Sequence, residues 1–142
     1  SNLVENIWAI WDTLRNKTDG FLRWAYDLMT LDPMVTSDNP DFESGDQNCV
    51  YPGGRSSVRF ECLKEGVRDA VKVQMLSEES PELKAELDAA LQGMATLQEI
   101  GSEKEEYGAP KDPGKVDIVA EVRKLKKALQ KAEDRYIREY GA

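Results

Sequence analysis

One hundred and forty-two residues can bury one core but not two, and with 40% hydrophobic and 32% charged residues the chain is neither disordered nor membrane-embedded in composition. The net charge of −8, from 27 acidic against 19 basic residues, argues against a nucleic-acid partner, which needs a basic face. Histidine is absent. That removes Ser-His and Cys-His nucleophile systems, histidine acid/base pairs and the usual zinc and haem sites.

Leu3, Val4, Ile7, Trp8, Ile10, Trp11 and Leu14 recur at three- and four-residue spacing and predict a first helix over about residues 3–16. The chain opens on Ser1-Asn2 with no leader pattern before this helix, which reads as the edge of a fragment. After Asp19-Gly20, the aromatic-rich run Phe21–Tyr26 predicts a strand. One strand needs hydrogen-bonding neighbours, and Asn48–Tyr51 is the weak candidate this sequence offers.

Residues 30–54 hold Pro33, Pro40, Pro52, Gly45, Gly53 and Gly54 and read as a long loop, a length usually tied to function or disorder. Its acids Asp32, Asp38, Asp41, Glu43 and Asp46 meet no cation before Arg55. Their spacing does not fit a calcium loop of alternate ligands, so a solvated acidic loop is expected, with no metal and no cofactor. Cys49 and Cys62 are too few for a disulfide scaffold and are read as unpaired thiols.

Ser56 and Ser57 are N-cap residues for a second helix, whose apolar side is read as Val58, Cys62, Leu63, Val67, Ala70, Val71 and Leu76, ending near Ser77. Gly66 inside it implies close packing against another element. Ser80-Pro81-Glu82 starts a third helix with the stripe Leu83, Leu87, Leu91, Met94, Leu97 and Ile100, closed by Gly101. After a polar linker at 102–115, a fourth helix over about 116–140 carries Val119, Val122, Leu125, Leu129, Ala132, Tyr136 and Tyr140 in a near-heptad seam, with Lys124, Lys126, Lys127 and Lys131 on its outer face. The third and fourth helices are expected to form an antiparallel hairpin.

Two segments carry a family resemblance. GFLRWAYDLM (20–29) and YPGGRSSVRFECLKEGVRDAVKVQML (51–76), joined by a loop with GDQN (45–48), resemble the C-terminal part of glycoside hydrolase family 123 and of related Bacteroides-type barrel proteins that carry a domain of unknown function there. The likeness spans about residues 3–77 and rests on several motifs in order: Gly20 to Tyr26, Gly45-Asp46, Tyr51-Pro52-Gly53, Ser57 to Glu61, and Lys64 to Asp69.

The resemblance implies a mainly α chain with one or two short strands, the terminal β/α unit of a (β/α)8 barrel as a fragment, followed by the helical hairpin. A complete barrel takes ~250 residues. On this reading residues 1–79 form the last strand and helix of the barrel, with its acidic loop, and residues 80–142 form the hairpin. It also implies an enzyme that removes terminal N-acetylgalactosamine with an Asp-Glu pair and the substrate's own acetamido oxygen as nucleophile. No Asp-Glu dipeptide occurs here, and neither Glu78-Glu79 nor Glu105-Glu106 follows a strand. No catalytic residue is therefore assigned to this chain, which alone is expected to be inactive.

A strand at 21–26 would deliver Trp24, Tyr26 and Asp27 to the active-site face, with Tyr51 and Asp46 closing the same pocket as carbohydrate contacts. The alternative is that Leu22, Trp24 and Tyr26, alternating onto one face, are simply core. Arg23, Arg59 and Glu61 are read as structural, Arg23 needing a carboxylate such as Glu61 or Asp69. The resemblance points to a periplasmic or extracellular parent. A rival reading is a non-catalytic helical interaction module, a homodimer through an exposed barrel edge or the hairpin. No membrane partner is expected.

Overall fold

A computed structural model of the protein describes residues 3–22, 25–27, 30, 32–36, 49–100 and 116–141, with backbone only at 97 and 98. The elements in order are α1 (Glu5–Arg15), β1 (Val50–Tyr51), β2 (Arg55–Ser56), α2 (Val58–Glu79), α3 (Pro81–Gln92), α4 (Leu97–Ile100) and α5 (Ile118–Tyr140). The fold is mainly helical, as the sequence implies.

Helix starts follow local chemistry. Ser57 caps α2 by accepting from the Phe60 amide, Ser80 caps α3 from Glu82 and Leu83 with Pro81 at its first position, and Asp117 caps α5 from Val119. One cluster takes Ile7, Trp8 and Trp11 from α1, Val73 and Leu76 from α2, Leu83, Leu87 and Leu91 from α3, and Val122, Leu125, Leu129 and Ala132 from α5. Trp11, Leu83, Leu87 and Leu125 are essentially sealed from solvent, each burial being worth roughly 1.5–3 kcal/mol. Residues on both sides of the expected 79/80 boundary thus fill the same core.

Four expectations need correction. The described residues of the expected strand at 21–26 are not strand: Phe21, Leu22 and Tyr26 are exposed, and Asp27 makes a single bridge. A strand needs partners along its length, and the described residues meet this segment only at its end, around Tyr26 and Asp27. Instead β1 and β2 pair antiparallel, Val50 opposite Ser56 and Tyr51 opposite Arg55, so the end of the expected loop is a hairpin. Its turn uses Pro52 at the first corner and positive φ at Gly53 and Gly54. Within the segment expected to pair with it, the amides of Cys49 and Val50 both donate to the Tyr26 carbonyl, at 2.8 and 3.2 Å, while Asn48 lies outside the described residues.

The buried side of α2 is Gly66, Asp69, Val73 and Leu76, while Val58, Val67 and Val71 are exposed. The apolar residues of α2 lie on two faces, and the sequence reading joined them into one. At Gly66, a Cβ would come within 3.0 Å of Ile10 Cγ1 and 3.2 Å of the Ile7 Cα, so α1 crosses α2 in contact with that glycine.

The third helix stops at Gln92 rather than Gly101, and α4 is a separate turn. Arg15 reaches the carbonyls of Met94 and Ala95, Lys124 reaches that of Gly93 at 3.1 Å, and Glu121 accepts from the Ala95 amide at 3.0 Å. Lys124 thus sits on the C-cap carbonyl of α3, the end of a helix that favours a cation, while Arg15 holds the loop that follows. Lys126, expected on the outer face of the last helix, turns inward to Asp69 and Glu65. The hairpin of α3 and α5 is clasped at its other end by Arg135, which pairs with Glu82, Glu86 and Glu139.

Candidate functional site

Of the residues to which the sequence reading gave a role, Tyr26, Arg59 and Glu61 lie at or against the N-terminal turn of α2. Ser57 Oγ, besides capping the helix, donates to the Cys49 carbonyl and so locks β1 to the start of α2. Residue 26 is held to β1 by its carbonyl, and its ring meets Phe60 edge-on with centroids 6.1 Å apart and an interplanar angle of 79°. Lys64 Nζ lies 5.7 Å from the Phe60 centroid, one helical turn on.

Beside this aromatic pair, the Glu61 carboxylate accepts from Ser56 Oγ at 2.5 Å and from Lys64 Nζ at 3.0 Å. The Ser56 hydrogen bond first, and Lys64 second, hold this carboxyl below the usual glutamate range, so it is an acceptor at neutral pH. The Ser56 contact ties β2 to α2. Arg23 lies outside the described residues; of the partners expected for it, Glu61 accepts from Ser56 and Lys64, and Asp69 from Trp11 and Lys126.

Tyr26 is exposed, with 58% of its surface open, and Asp27 is exposed beside it. Tyr51 is half-buried on β1. Trp24, Asp46 and Arg23 lie outside the described residues. Arg59 is half-buried, its carbonyl accepting from Asn6 at 3.4 Å, and its Nε is buried with no hydrogen-bond partner among the described residues. Phe60 and Lys64 were missed as site residues, although Phe60 stands inside the quoted Ser57–Glu61 motif and the i, i+4 spacing to Lys64 was readable.

Cys49 and Cys62 are both free thiols. Burial, reinforced by Glu65 and Glu61, pushes the Cys62 thiol up, which makes it a poor nucleophile at neutral pH. Among the described residues, no three Cys, Asp or Glu side chains converge as metal ligands.

Comparison with known proteins decides what this arrangement belongs to. The sequence model described as glycoside hydrolase 123, catalytic domain, matches residues 1–76, just over half of the chain. The chain belongs to glycoside hydrolase family 123. A solved family 123 glycoside hydrolase from Clostridium perfringens, studied for the details of glycolipid glycan hydrolysis, is similar in structure with a TM-score of 0.82 and 27% identity. That superposition covers 96% of this family 123 chain, and so extends beyond residue 76 into α3 and α5, but it spans only 25% of the other chain. No curated protein matches. Among the described residues, no helix is long and apolar enough to cross a membrane.

Proposed function

We propose that residues 1–142 supply part of the sugar-binding face of a family 123 glycosidase acting on terminal N-acetylhexosamine of the galactosamine type, and that the catalytic Asp-Glu pair lies outside them. The observation that carries this reading is the Tyr26–Phe60 pair at the start of α2, inside the family-matched residues and flanked by the Glu61 carboxylate. An open tyrosine ring offers a face to the apolar side of a pyranose, and a fixed carboxylate beside it accepts sugar hydroxyls. Trp24, Asp27, Asp46 and Tyr51 belong to the same proposed face. Arg23 and Arg59 hold its framework.

On this reading residues 1–79 are the terminal part of the barrel domain, with α2 as its helix, and residues 80–142 are the helical hairpin that buttresses it. The test is kinetic, on the complete open reading frame that encodes these residues. With an aryl N-acetylgalactosaminide as substrate, Tyr26→Ala should raise KM or lower kcat/KM at least tenfold while the melting temperature stays put. A complete protein that cleaves no N-acetylhexosaminide would overturn the substrate assignment.

A further inference from the structure

The described residues of the family-matched half and of the C-terminal helices have surfaces of different kinds. Of twelve large apolar residues exposed among the described ones, ten lie within residues 1–76, and only Ile137 and Tyr140 lie beyond. On α2 they form an ordered stripe. Val67, Val71 and Met75 follow one another at four-residue intervals and are 48%, 47% and 61% exposed, and Phe60, seven residues before Val67, continues the line to Tyr26. The opposite side of the same helix is Gly66, Asp69, Val73 and Leu76, already buried against α1, α3 and α5. A helix with apolar residues on both sides belongs between two packing layers, and among the described residues only one side is covered. Bare contiguous apolar surface of this kind marks an interaction site.

We propose that the Val67–Val71–Met75 face of α2 is the seat of the remaining part of a family 123 catalytic domain. The occupant is indicated by length: the solved family 123 hydrolase superposes on nearly all of this chain and yet is four times as long, the chain covering 25% of it. It is indicated also by position, since the stripe falls within the residues matched to the catalytic domain, whereas α3 and α5 turn charged residues such as Lys84, Asp88, Lys127 and Lys131 outward. The stripe runs about 12 Å from Val67 to Met75 at 1.5 Å per residue, enough for a packed contact of two helical turns. This inference rests on family membership and not on the identity of the sugar.

The test compares the triple variant Val67→Gln, Val71→Gln, Met75→Gln in two contexts. In the chain of residues 1–142 the variant should melt at the wild-type temperature and bind the apolar dye ANS several-fold less. In the complete open reading frame the same variant should lose at least 5 °C of melting temperature or most of its soluble yield. Three results would each overturn the proposal. One is a complete protein that tolerates the substitutions unchanged. Another is a destabilised variant of the 142-residue chain, which would show that the chain covers the face with its own residues. The third is a wild-type chain that sediments as a dimer dissolved by the variant, which would make a second copy the occupant.

Discussion

Lys126 Nζ on α5 lies 2.8 Å from Asp69 Oδ2 on α2, and Trp11 Nε1 on α1 donates to that same oxygen at 3.1 Å. Asp69 is buried, and Glu65 adds a second carboxylate to Lys126 at 2.6 Å. Three helices are therefore fixed to one side chain. Removing Asp69 leaves a buried indole N–H unpaired and an ammonium short of its partner. Asp69→Ala should cost about 2–3 kcal/mol by urea unfolding, in the range for a buried donor left unsatisfied. A cost within 0.5 kcal/mol of zero would show that the node does not tie the helices.

The same node predicts alkaline behaviour. Burial opposes the charge on Lys126, but the hydrogen bonds it donates to Asp69 and Glu65 outweigh it and hold the ammonium above the ordinary lysine value. A group raised in the folded state contributes fully below its unfolded pKa, about 10.4, and that contribution is lost as pH rises through the folded value. Unfolding free energy measured from pH 9 upward should therefore fall more steeply in the wild type than in Lys126→Met.

Gly66→Ala sets two effects against each other. Helix propensity favours alanine by roughly 1 kcal/mol, whereas overpacking a tight contact costs about 1–3 kcal/mol. The new methyl would meet the Ile7 backbone as well as Ile10, and backbone does not yield like a side-chain tip. Net destabilisation of up to about 2 kcal/mol is expected in chemical denaturation, partly relieved by adding Ile10→Val. A stabilised Gly66→Ala protein would contradict the close approach.

For Glu61, carbon-13 NMR of the carboxyl should show titration below the ordinary glutamate range, moving upward in Ser56→Ala, since the Ser56 hydrogen bond is the larger cause. Because a depressed carboxyl stabilises above its unfolded pKa, this contribution fades as pH drops through the folded value. An unshifted titration would dissolve the link between β2 and α2.

Much of this fold was legible in the sequence where its cause is local. Ser57 and Ser80-Pro81 announce their helices because a cap needs only the next three residues. The seam of α5 reads correctly at Val122, Leu125, Leu129 and Ala132 because one face is buried and the other is not. The face of α2 was misread because apolar residues lie on two sides of it. The end of α3 was misread because Met94 and Ile100 continue the helical period, while the groups that fix the turn, Arg15, Lys124 and Glu121, come from distant positions. Of the candidate site, the quoted motifs located the α2 start and Tyr26, but the Phe60 contact with Tyr26 spans 34 residues of sequence and left no periodic trace.

The most direct test of the central claim, a sugar-binding portion of a family 123 glycosidase without its catalytic pair, is an assay of the 142-residue chain itself on an aryl N-acetylgalactosaminide. No turnover above the uncatalysed rate is expected from the isolated chain under conditions where the complete open reading frame cleaves the substrate. Turnover by the isolated chain, abolished by substituting one of its own carboxylates, would contradict the account.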